Sequence, residues 1–324
     1  MKTKLDSFCD SLRSEGWEPG LTERSYQRII DCGLYGKNLS LAAVATEIAC
    51  DEQPITLRGL FYRVVSAGFL PSTDQKHYSR LGRVLTTLRE RGVVPFNWII
   101  DNLRSTQKPS SWSGLGDYAD VVRDCYRKDF WSHLPEYVHI FCEKDAIAGV
   151  ISPVTEEYDV ALSPIRGYVS LSFAHEIAEQ WNGIEKSIHA YYVGDFDPSG
   201  FDLERDLREK LERYTGMTFG GHLSHPMPEG YQVISWTRLG VNSEDFDDFN
   251  LLPLEVKRKD RRCAKFIQEH GEQCAELDAI PPTEIRRRIR EAIESHIPQD
   301  EWQRLQEVEA AEKESFAKFM EQMP

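Results

Sequence analysis

The sequence lacks several features that would assign it to a familiar class. Its 324 residues include seven cysteines but no CxxC pair and no Cys/His spacing suited to zinc, and its first residues carry no apolar signal core. No apolar run approaches the roughly 20 residues that span a bilayer. No GxxxxGK[ST] loop occurs, so nothing predicts an ATPase activity of its own. We therefore expect a reduced, cytoplasmic protein without a membrane partner.

Positive charge is scarce overall but concentrated in one segment. The chain has 39 Lys and Arg against 53 Asp and Glu, a formal net charge of −14, which argues against phosphate binding by the whole surface. Between residues 54 and 108, however, nine Lys and Arg stand against only three acids, Asp74, Glu90 and Asp101. Such segregation of basic residues favours a local nucleic-acid surface.

The basic segment has the helical spacing of a DNA-binding domain. Thr56 is a plausible N-cap for a helix to about residue 66, and a second helix is predicted over residues 74–91. The second helix has a stripe of four apolar residues: Leu81, Val84, Leu85 and Leu88. Opposite that stripe lie three cations: Lys76, Arg80 and Arg83. With the β-prone residues 92–99 as a wing, the pattern predicts a winged helix, and an ordinary helical domain with a solvated face is the alternative.

From about residue 136 strands alternate with helices, which favours a mostly parallel sheet flanked by helices. The preceding residues 1–50 are predicted to be helical, and we find no chemistry in them. Four strands are predicted: residues 137–142, 158–162, 187–193 and 231–236. Three helices are predicted between them: residues 146–156, 170–181 and 201–214. The fold class is therefore α/β, preceded by a mainly helical region.

Acidic residues follow two of these strands at the point where each strand ends. Glu143 follows the first strand, and Asp195 and Asp197 follow the third. Open α/β sheets bind ligands at the carboxyl ends of their strands, and three nearby carboxylates repel one another unless a cation compensates. Mg²⁺ takes oxygen ligands and binds through a few carboxylates together with a substrate phosphate. We therefore predict a Mg²⁺ site for phosphoryl chemistry, although Asp197 also suits the N-cap of a helix starting at Pro198.

Two basic residues lie close to these acids in the sequence or in the predicted topology. Lys144 directly follows Glu143, where it either contacts a substrate phosphate or offsets the charge of the acids. Arg166 precedes Gly167 and the helix predicted from residue 170. That loop is either phosphate-facing or a simple glycine turn.

The order of these motifs resembles the TOPRIM domains of topoisomerases, primases and OLD-type nucleases, which carry a strand-end Glu and a later strand-end DxD. The closer resemblance is to the topoisomerase VI A-subunit group. That group places a winged helix before TOPRIM and has an Arg followed four residues later by a nucleophilic Tyr. Arg58 and Tyr62 stand in that motif here. The family often has Tyr-Tyr where this chain has Phe61-Tyr62, and the second tyrosine is retained.

The resemblance covers roughly residues 50–280, and together with the helical patterns outside that range it predicts four parts of the chain. Residues 1–50 would form an N-terminal helical segment, 51–135 the winged helix, 136–250 the TOPRIM domain and 251–324 a C-terminal helical extension. Independently of the family, helical geometry puts Arg58 and Tyr62 outside the apolar stripe of their helix, on one side. We therefore expect an exposed tyrosine beside an arginine, although a tyrosine at a domain rim would show the same pattern.

The leading hypothesis is DNA cleavage by a topoisomerase VI A-like subunit through a phosphotyrosyl intermediate. Tyr62 would attack, Arg58 would assist, and Mg²⁺ would be held by Glu143, Asp195 and Asp197. The resemblance further implies double-stranded DNA as substrate, a homodimer and a separate ATPase subunit. A TOPRIM nuclease that hydrolyses DNA with a metal-bound water is one alternative. A DNA-binding protein without catalysis is the other.

Overall fold

The computed structural model describes residues 3–100, 110–217, 234–256, 258 and 260–321. Helices of the N-terminal half are α1 (Lys4–Ser14), α2 (Glu23–Asp31), α3 (Lys37–Glu52), α4 (Leu57–Ser66), α5 (Gln75–Glu90) and α6 (Leu115–Cys125). Later helices are α7 (Asp145–Glu157), α8 (Leu171–Asn182), α9 (Pro198–Thr215), α10 (Asp245–Asp248), α11 (Cys263–His270), α12 (Pro282–Glu294) and α13 (Gln299–Glu321).

Helices α1 to α5 pack around a hydrophobic core of their own. Thr56 accepts a hydrogen bond from the Gly59 backbone N–H and so caps α4, as its sequence position predicts. The four residues predicted to form the buried stripe of α5 are all buried: Leu81, Val84, Leu85 and Leu88. Hydrophobic spacing therefore fixes which face of α5 is left for solvent and ligands.

The residues expected to form a wing have a different local structure. Phe96–Trp98 form a 3₁₀ turn, and strand β2 (Ile99–Ile100) pairs in parallel with β1 (Ile55–Thr56). A wing is an antiparallel hairpin, and this parallel pairing is not one. Residues 101–109 lie outside the described part of the chain, so the winged-helix assignment stays a prediction.

The second half of the chain is built on a parallel sheet flanked by helices, so the predicted α/β class is confirmed. Its strands are β3 (Glu136–Cys142), β4 (Ala161–Pro164), β5 (Ser187–Val193) and β6 (Ile234–Arg238), in the order β4-β3-β5-β6. The predicted strand at 231–236 overlaps β6 from residue 234, and residues 231–233 lie outside the described part. Whether this domain is TOPRIM stays a prediction.

Strand β4 begins later than predicted, at Ala161 instead of residue 158. Helix α7 continues to Glu157, and Tyr158 closes it with a hydrogen bond from its N–H to the Val154 carbonyl. Asp159 then adopts a positive φ of 53°. The first residues of the predicted strand therefore end a helix instead. A short apolar pattern does not distinguish the end of a helix from the start of a strand.

Both faces of the sheet are covered. Helices α8 and α9 bury one face, with Phe141, Trp181 and Leu207 in that core. Helices α7 and α12 cover the other face, with Ile140, Ile151 and Ile289 in its core. A short antiparallel pair, β7 (Leu254–Glu255) and β8 (Gln273–Cys274), precedes α12. Within the described residues no helix is long and apolar enough to cross a membrane.

Candidate functional site

The three predicted acids lie at one edge of the parallel sheet. Strands β3 and β5 are neighbours, and their last residues, Cys142 and Val193, are register partners. Glu143 therefore stands beside Gly194, and its N–H donates to the Val193 carbonyl at 3.0 Å. The loop after β5 carries Asp195 and Asp197 to the same edge. Adjacent parallel strands thus bring together residues that are about fifty positions apart in the sequence.

Two glycines make room for the Glu143 side chain. Its Oε2 accepts a hydrogen bond of 2.9 Å from the Asp195 backbone N–H. A Cβ at Gly194 would lie 2.9 Å from that oxygen. A Cβ at Gly200 would lie 3.2 Å from it and 2.4 Å from the Asp195 carbonyl oxygen. Side chains at either glycine would therefore displace the carboxylate.

Asp195 is the most enclosed of the three acids, with 6% of its surface exposed. Its Oδ1 accepts a hydrogen bond of 2.8 Å from the Leu277 N–H, and its Oδ2 lies 2.8 Å from Lys144 Nζ. Asp197 is less buried, and its Oδ1 accepts a hydrogen bond of 2.7 Å from the Gly200 N–H. Asp197 is thus the N-cap of α9, as one interpretation of the sequence predicts. It also lies close enough to Glu143 for its charge to raise the pKa of that residue.

Lys144 lies among the acids of the site. Its Nζ is 3.3 Å from an oxygen of Asp278 and 3.9 Å from one of Glu276, in addition to its contact with Asp195. Burial by itself would lower the pKa of Lys144, but these three carboxylates raise it above its ordinary value. This geometry gives Lys144 the charge-offsetting position, one of the two that the sequence left open.

The acids themselves carry an electrostatic cost. Burial, followed by the charge of Asp195, raises the pKa of Glu143 to about 7. Burial also raises the pKa of Asp195, although Lys144 opposes that change. Carboxylates that are partly buried and close together resist ionisation unless a further cation joins them. Lys144 therefore does not fully compensate the negative charge of the acids, and a further cation would stabilise their ionised forms.

Glu276 and Asp278 belong to this site although the sequence did not point to them. Phe196 and Ala275 form an antiparallel bridge with N–H to carbonyl bonds of 2.9 and 3.0 Å, which fastens the later segment to the loop after β5. Asp278 is buried and accepts a hydrogen bond of 2.5 Å from the Thr56 hydroxyl. An acid-apolar-acid pattern just before a Pro-Pro helix start was the available signal.

Arg238 is a second residue that the sequence did not single out. It stands at the end of β6, where its guanidinium donates to the carbonyl of Gly194 at 3.2 Å and to that of Asp195, and it pairs with Glu204. The backbone after β6 approaches the same loop so closely that a Cβ at Gly240 would lie 2.3 Å from the Gly194 carbonyl oxygen. Strand β6 therefore holds the loop after β5 in position.

Arg58 and Tyr62 lie next to the acids within the same chain. Arg58 forms an ion pair with Glu276, and its guanidinium carbon is 5.6 Å from the centroid of the Tyr62 ring. The expectation of an exposed tyrosine is wrong, because only 4% of Tyr62 is exposed. The turn at Leu277–Ala279 packs against α4, and the pattern of a helix cannot predict its contact with a segment about 215 positions later. Burial, and after it the charge of Glu276, raises the pKa of Tyr62, while Arg58 lowers it.

The cations predicted to bind DNA occupy two places. On α5, Lys76 is exposed and lies 3.5 Å from Asp74, while Arg80 donates to the Asn38 side chain at 2.7 Å. Arg83 is exposed on the same helix and donates to the Ser79 carbonyl at 3.4 Å. Arg166 lies on the loop after β4 instead, where it pairs with Asp145. The four cations therefore belong to two separate elements of the fold.

Arg166 extends the positive charge at the edge of the sheet. Its guanidinium is 2.7 Å from the carboxylate of Asp145, which directly follows Lys144, and its side chain is 72% exposed. An open groove of about 800 Å³ runs beside α9. Six cations line it, interspersed with acids: Arg205, Arg208, Arg238, Arg261, Arg262 and Lys265.

The donor set fits Mg²⁺ by its chemistry. Glu143 and Asp197 each use one oxygen to accept a backbone N–H, and their second oxygens have no hydrogen bond within the described part of the chain. The oxygens of Glu143, Asp195 and Asp197 do not all lie within 4.8 Å of one another. Mg²⁺ commonly keeps several waters and takes one or two carboxylates plus substrate phosphate, so full convergence is not required.

No family model matches the chain, and no curated protein matches it. The functional assignment therefore rests on the residues and their geometry.

Proposed function

We propose that this chain cleaves DNA phosphodiester bonds in a Mg²⁺-dependent reaction, with Tyr62 as nucleophile. The observation that carries the proposal is the meeting of Glu143, Asp195 and Asp197 at the carboxyl ends of two adjacent parallel strands. The pKa of about 7 at Glu143 supports a role for a further cation there. Bound Mg²⁺ would polarise a phosphate oxygen and neutralise developing negative charge.

The chain's own residues supply positioning for such a reaction. Lys144 opposes the rise in the pKa of Asp195 that burial causes, and Arg238 holds the backbone of the loop on which Asp195 lies. Arg166 and the cations of α5 offer phosphate contacts outside the site. Double-stranded DNA is the proposed partner because local clusters of positive charge, not the whole-chain charge, decide phosphate binding.

The contact of Tyr62 with Arg58, which forms an ion pair with Glu276, supports Tyr62 as the nucleophile. Arg58 connects the tyrosine helix to Glu276, and Glu276 lies 3.9 Å from Lys144. In the reaction, the phenolic oxygen of Tyr62 forms a bond to phosphorus and its proton passes to solvent. The bond from phosphorus to one sugar oxygen breaks, and that oxygen leaves as a hydroxyl group after taking up a proton from solvent. Arg58 lowers the pKa of Tyr62, which assists that proton loss. Glu276 must release Arg58, or move with it, for DNA to reach the ring.

Hydrolysis by a water molecule is the second candidate, and the burial of Tyr62 favours it. A phenol that is 4% exposed has a raised pKa and limited access to a phosphate. The acid site is equally suited to hydrolytic cleavage. In that case Tyr62 is only structural.

The test is incubation of the purified protein with supercoiled plasmid and Mg²⁺, followed by denaturation and detection of protein attached to DNA ends. Attachment that is lost in Tyr62→Phe but kept in Tyr35→Phe, an exposed tyrosine of the same region, supports transesterification. Cleavage without attachment that needs Asp195 and Asp197 supports hydrolysis. Cleavage that survives both Asp195→Asn and Asp197→Asn would overturn the metal site.

The proposal also includes a homodimer and a separate ATPase, as the family resemblance implies. Mixing Tyr62→Phe protein with Asp195→Asn protein tests the dimer. Restored cleavage in the mixture means that the tyrosine and the acids of different chains work together. If cleavage is not restored, the contact from Arg58 to Glu276 points to a site completed within one chain. Adding ATP and a candidate ATPase to the plasmid assay tests the second partner.

A further inference from the structure

A group of two histidines and one carboxylate lies at the other end of the sheet. Glu136 is the first residue of β3, His189 is in β5, and His296 follows the end of α12. One ligand atom from each residue lies within 4.8 Å of those of the other two. Among the described residues, no other group of three His, Cys, Asp or Glu side chains meets this criterion. Glu136 and Glu143 are seven residues apart along an extended chain, so the two groups lie about 20 Å from one another.

The three side chains meet because of sheet geometry. Val138 and His189 are register partners, and alternation along the strands puts Glu136, Val138 and His189 on the α12 face of the sheet. Helix α12 packs on that face and delivers His296 to the same point. The two imidazole rings lie side by side, with centroids 4.0 Å apart.

Each histidine turns one nitrogen toward the carboxylate. His189 Nε2 is 3.5 Å from Glu136 Oε1, and His296 Nδ1 is 2.6 Å from Glu136 Oε2. His189 Nε2 is buried and has no hydrogen bond within the described part of the chain. A buried polar atom without a partner is costly, and it is the natural position for a ligand that the protein alone does not supply.

The opposite nitrogens have hydroxyl partners. His189 Nδ1 is 2.7 Å from the Ser235 hydroxyl, its cross-strand neighbour, and His296 Nε2 is 2.6 Å from the Tyr191 hydroxyl. Histidines that bind metals commonly donate their second N–H to an oxygen, which fixes the ring and leaves the first nitrogen's lone pair for the metal. Both hydroxyls can accept such a bond.

We propose that Glu136, His189 and His296 bind a divalent transition ion of the zinc class. Two imidazoles and a carboxylate suit Zn²⁺, whereas Mg²⁺ prefers oxygen ligands only. In a tetrahedral zinc site with bonds of about 2.0–2.1 Å, ligand atoms are separated by roughly 3.3 Å, which is within the 4.8 Å that encloses one ligand atom of each residue here. A water molecule completes the fourth position, since the Glu136 side chain is 35% exposed and admits solvent.

The three side chains are partly buried. Burial, and after it the neighbouring His296, lowers the pKa of His189. The titratable groups that face it are Glu136 from β3, His296 from the end of α12 and Tyr191 from β5. The bound ion would fasten the connection between α12 and α13 to strands β3 and β5. The site would therefore stabilise the fold independently of DNA cleavage.

The test uses the full chain, stripped with a chelator and then dialysed against Zn²⁺. We expect one zinc ion per chain by elemental analysis, a higher melting temperature with Zn²⁺ than without, and tetrahedral Co²⁺ absorption after cobalt substitution. His189→Gln and His296→Gln should weaken zinc binding at least tenfold and abolish the thermal shift. His133→Gln, an exposed histidine elsewhere, is the matched control and should retain both.

Further variants keep the test decisive. Glu136→Gln changes the most exposed of the three ligands. It tests zinc binding in a folded protein in case either histidine variant fails to fold. Asp197→Asn should keep the zinc, because it alters only the acid site. Less than one zinc per chain in the wild type would overturn the proposal. So would zinc that is bound normally by a folded His189→Gln or His296→Gln protein, or that is lost in Asp197→Asn.

Discussion

Replacing Glu143 by glutamine should stabilise the metal-free protein at alkaline pH. The pKa of Glu143 in the folded state is about 7, against an ordinary value of 4.5. The folded chain therefore binds this proton more tightly than the unfolded chain, and stability is lost as the pH rises from about 4.5 through 7. Glutamine cannot ionise, and its carbonyl can still accept the hydrogen bond from the Asp195 N–H.

The gain in stability follows from the difference between the pKa of Glu143 in the folded state and its ordinary value. A shift of this size corresponds to about 3 kcal/mol at most. Solvent screening and the shared titration with Asp195 reduce this to about 1–2 kcal/mol. For a chain of this length, that difference amounts to a few degrees in melting temperature. The variant should therefore melt a few degrees above the wild type at pH 8 and close to it at pH 5.

The assay is thermal unfolding in EDTA at pH 5 and pH 8, with Glu156→Gln as the control because Glu156 is exposed on α7. The informative quantity is the gain in melting temperature over the wild type at pH 8 minus the gain at pH 5, since this subtraction removes effects of the substitution that are common to both pH values. A Glu143→Gln protein that gains no more stability at pH 8 than the control would refute the electrostatic account of the site. The same variant should lose Mg²⁺-dependent cleavage.

Three further predictions concern packing and DNA binding. Gly240→Ala should lower the free energy of unfolding by about 1–3 kcal/mol, measured by denaturant titration, because a Cβ would meet the backbone of Gly194 at 2.3 Å. Gly82→Ala should instead stabilise by about 0.5–1 kcal/mol, since its position within α5 has open space around it. Arg80→Gln combined with Arg83→Gln should weaken DNA binding and reduce the slope of log K against log salt by about 2, and an unchanged slope would remove α5 from the DNA surface.

The hydrophobic patterns of single segments were sufficient for much of the local structure. The buried stripe of α5, the cap at Thr56 and strand β5 at Ser187–Val193 agree with the sequence predictions. These features depend on interactions between residues a few positions apart, and burial periodicity records them directly. The meeting of Glu143 with Asp195 was also predictable, because parallel strands that are neighbours end at the same edge.

Only the tertiary structure decided what covers Tyr62 and what surrounds Lys144. Glu276 and Asp278 reach the site through a bridge between Phe196 and Ala275, and no local pattern fixes a contact between such distant segments. The group of Glu136, His189 and His296 arises in the same way, from two strands and the end of a helix. Residues far apart in sequence become neighbours through packing of whole elements, and the spacing of residues along the chain carries no record of that packing.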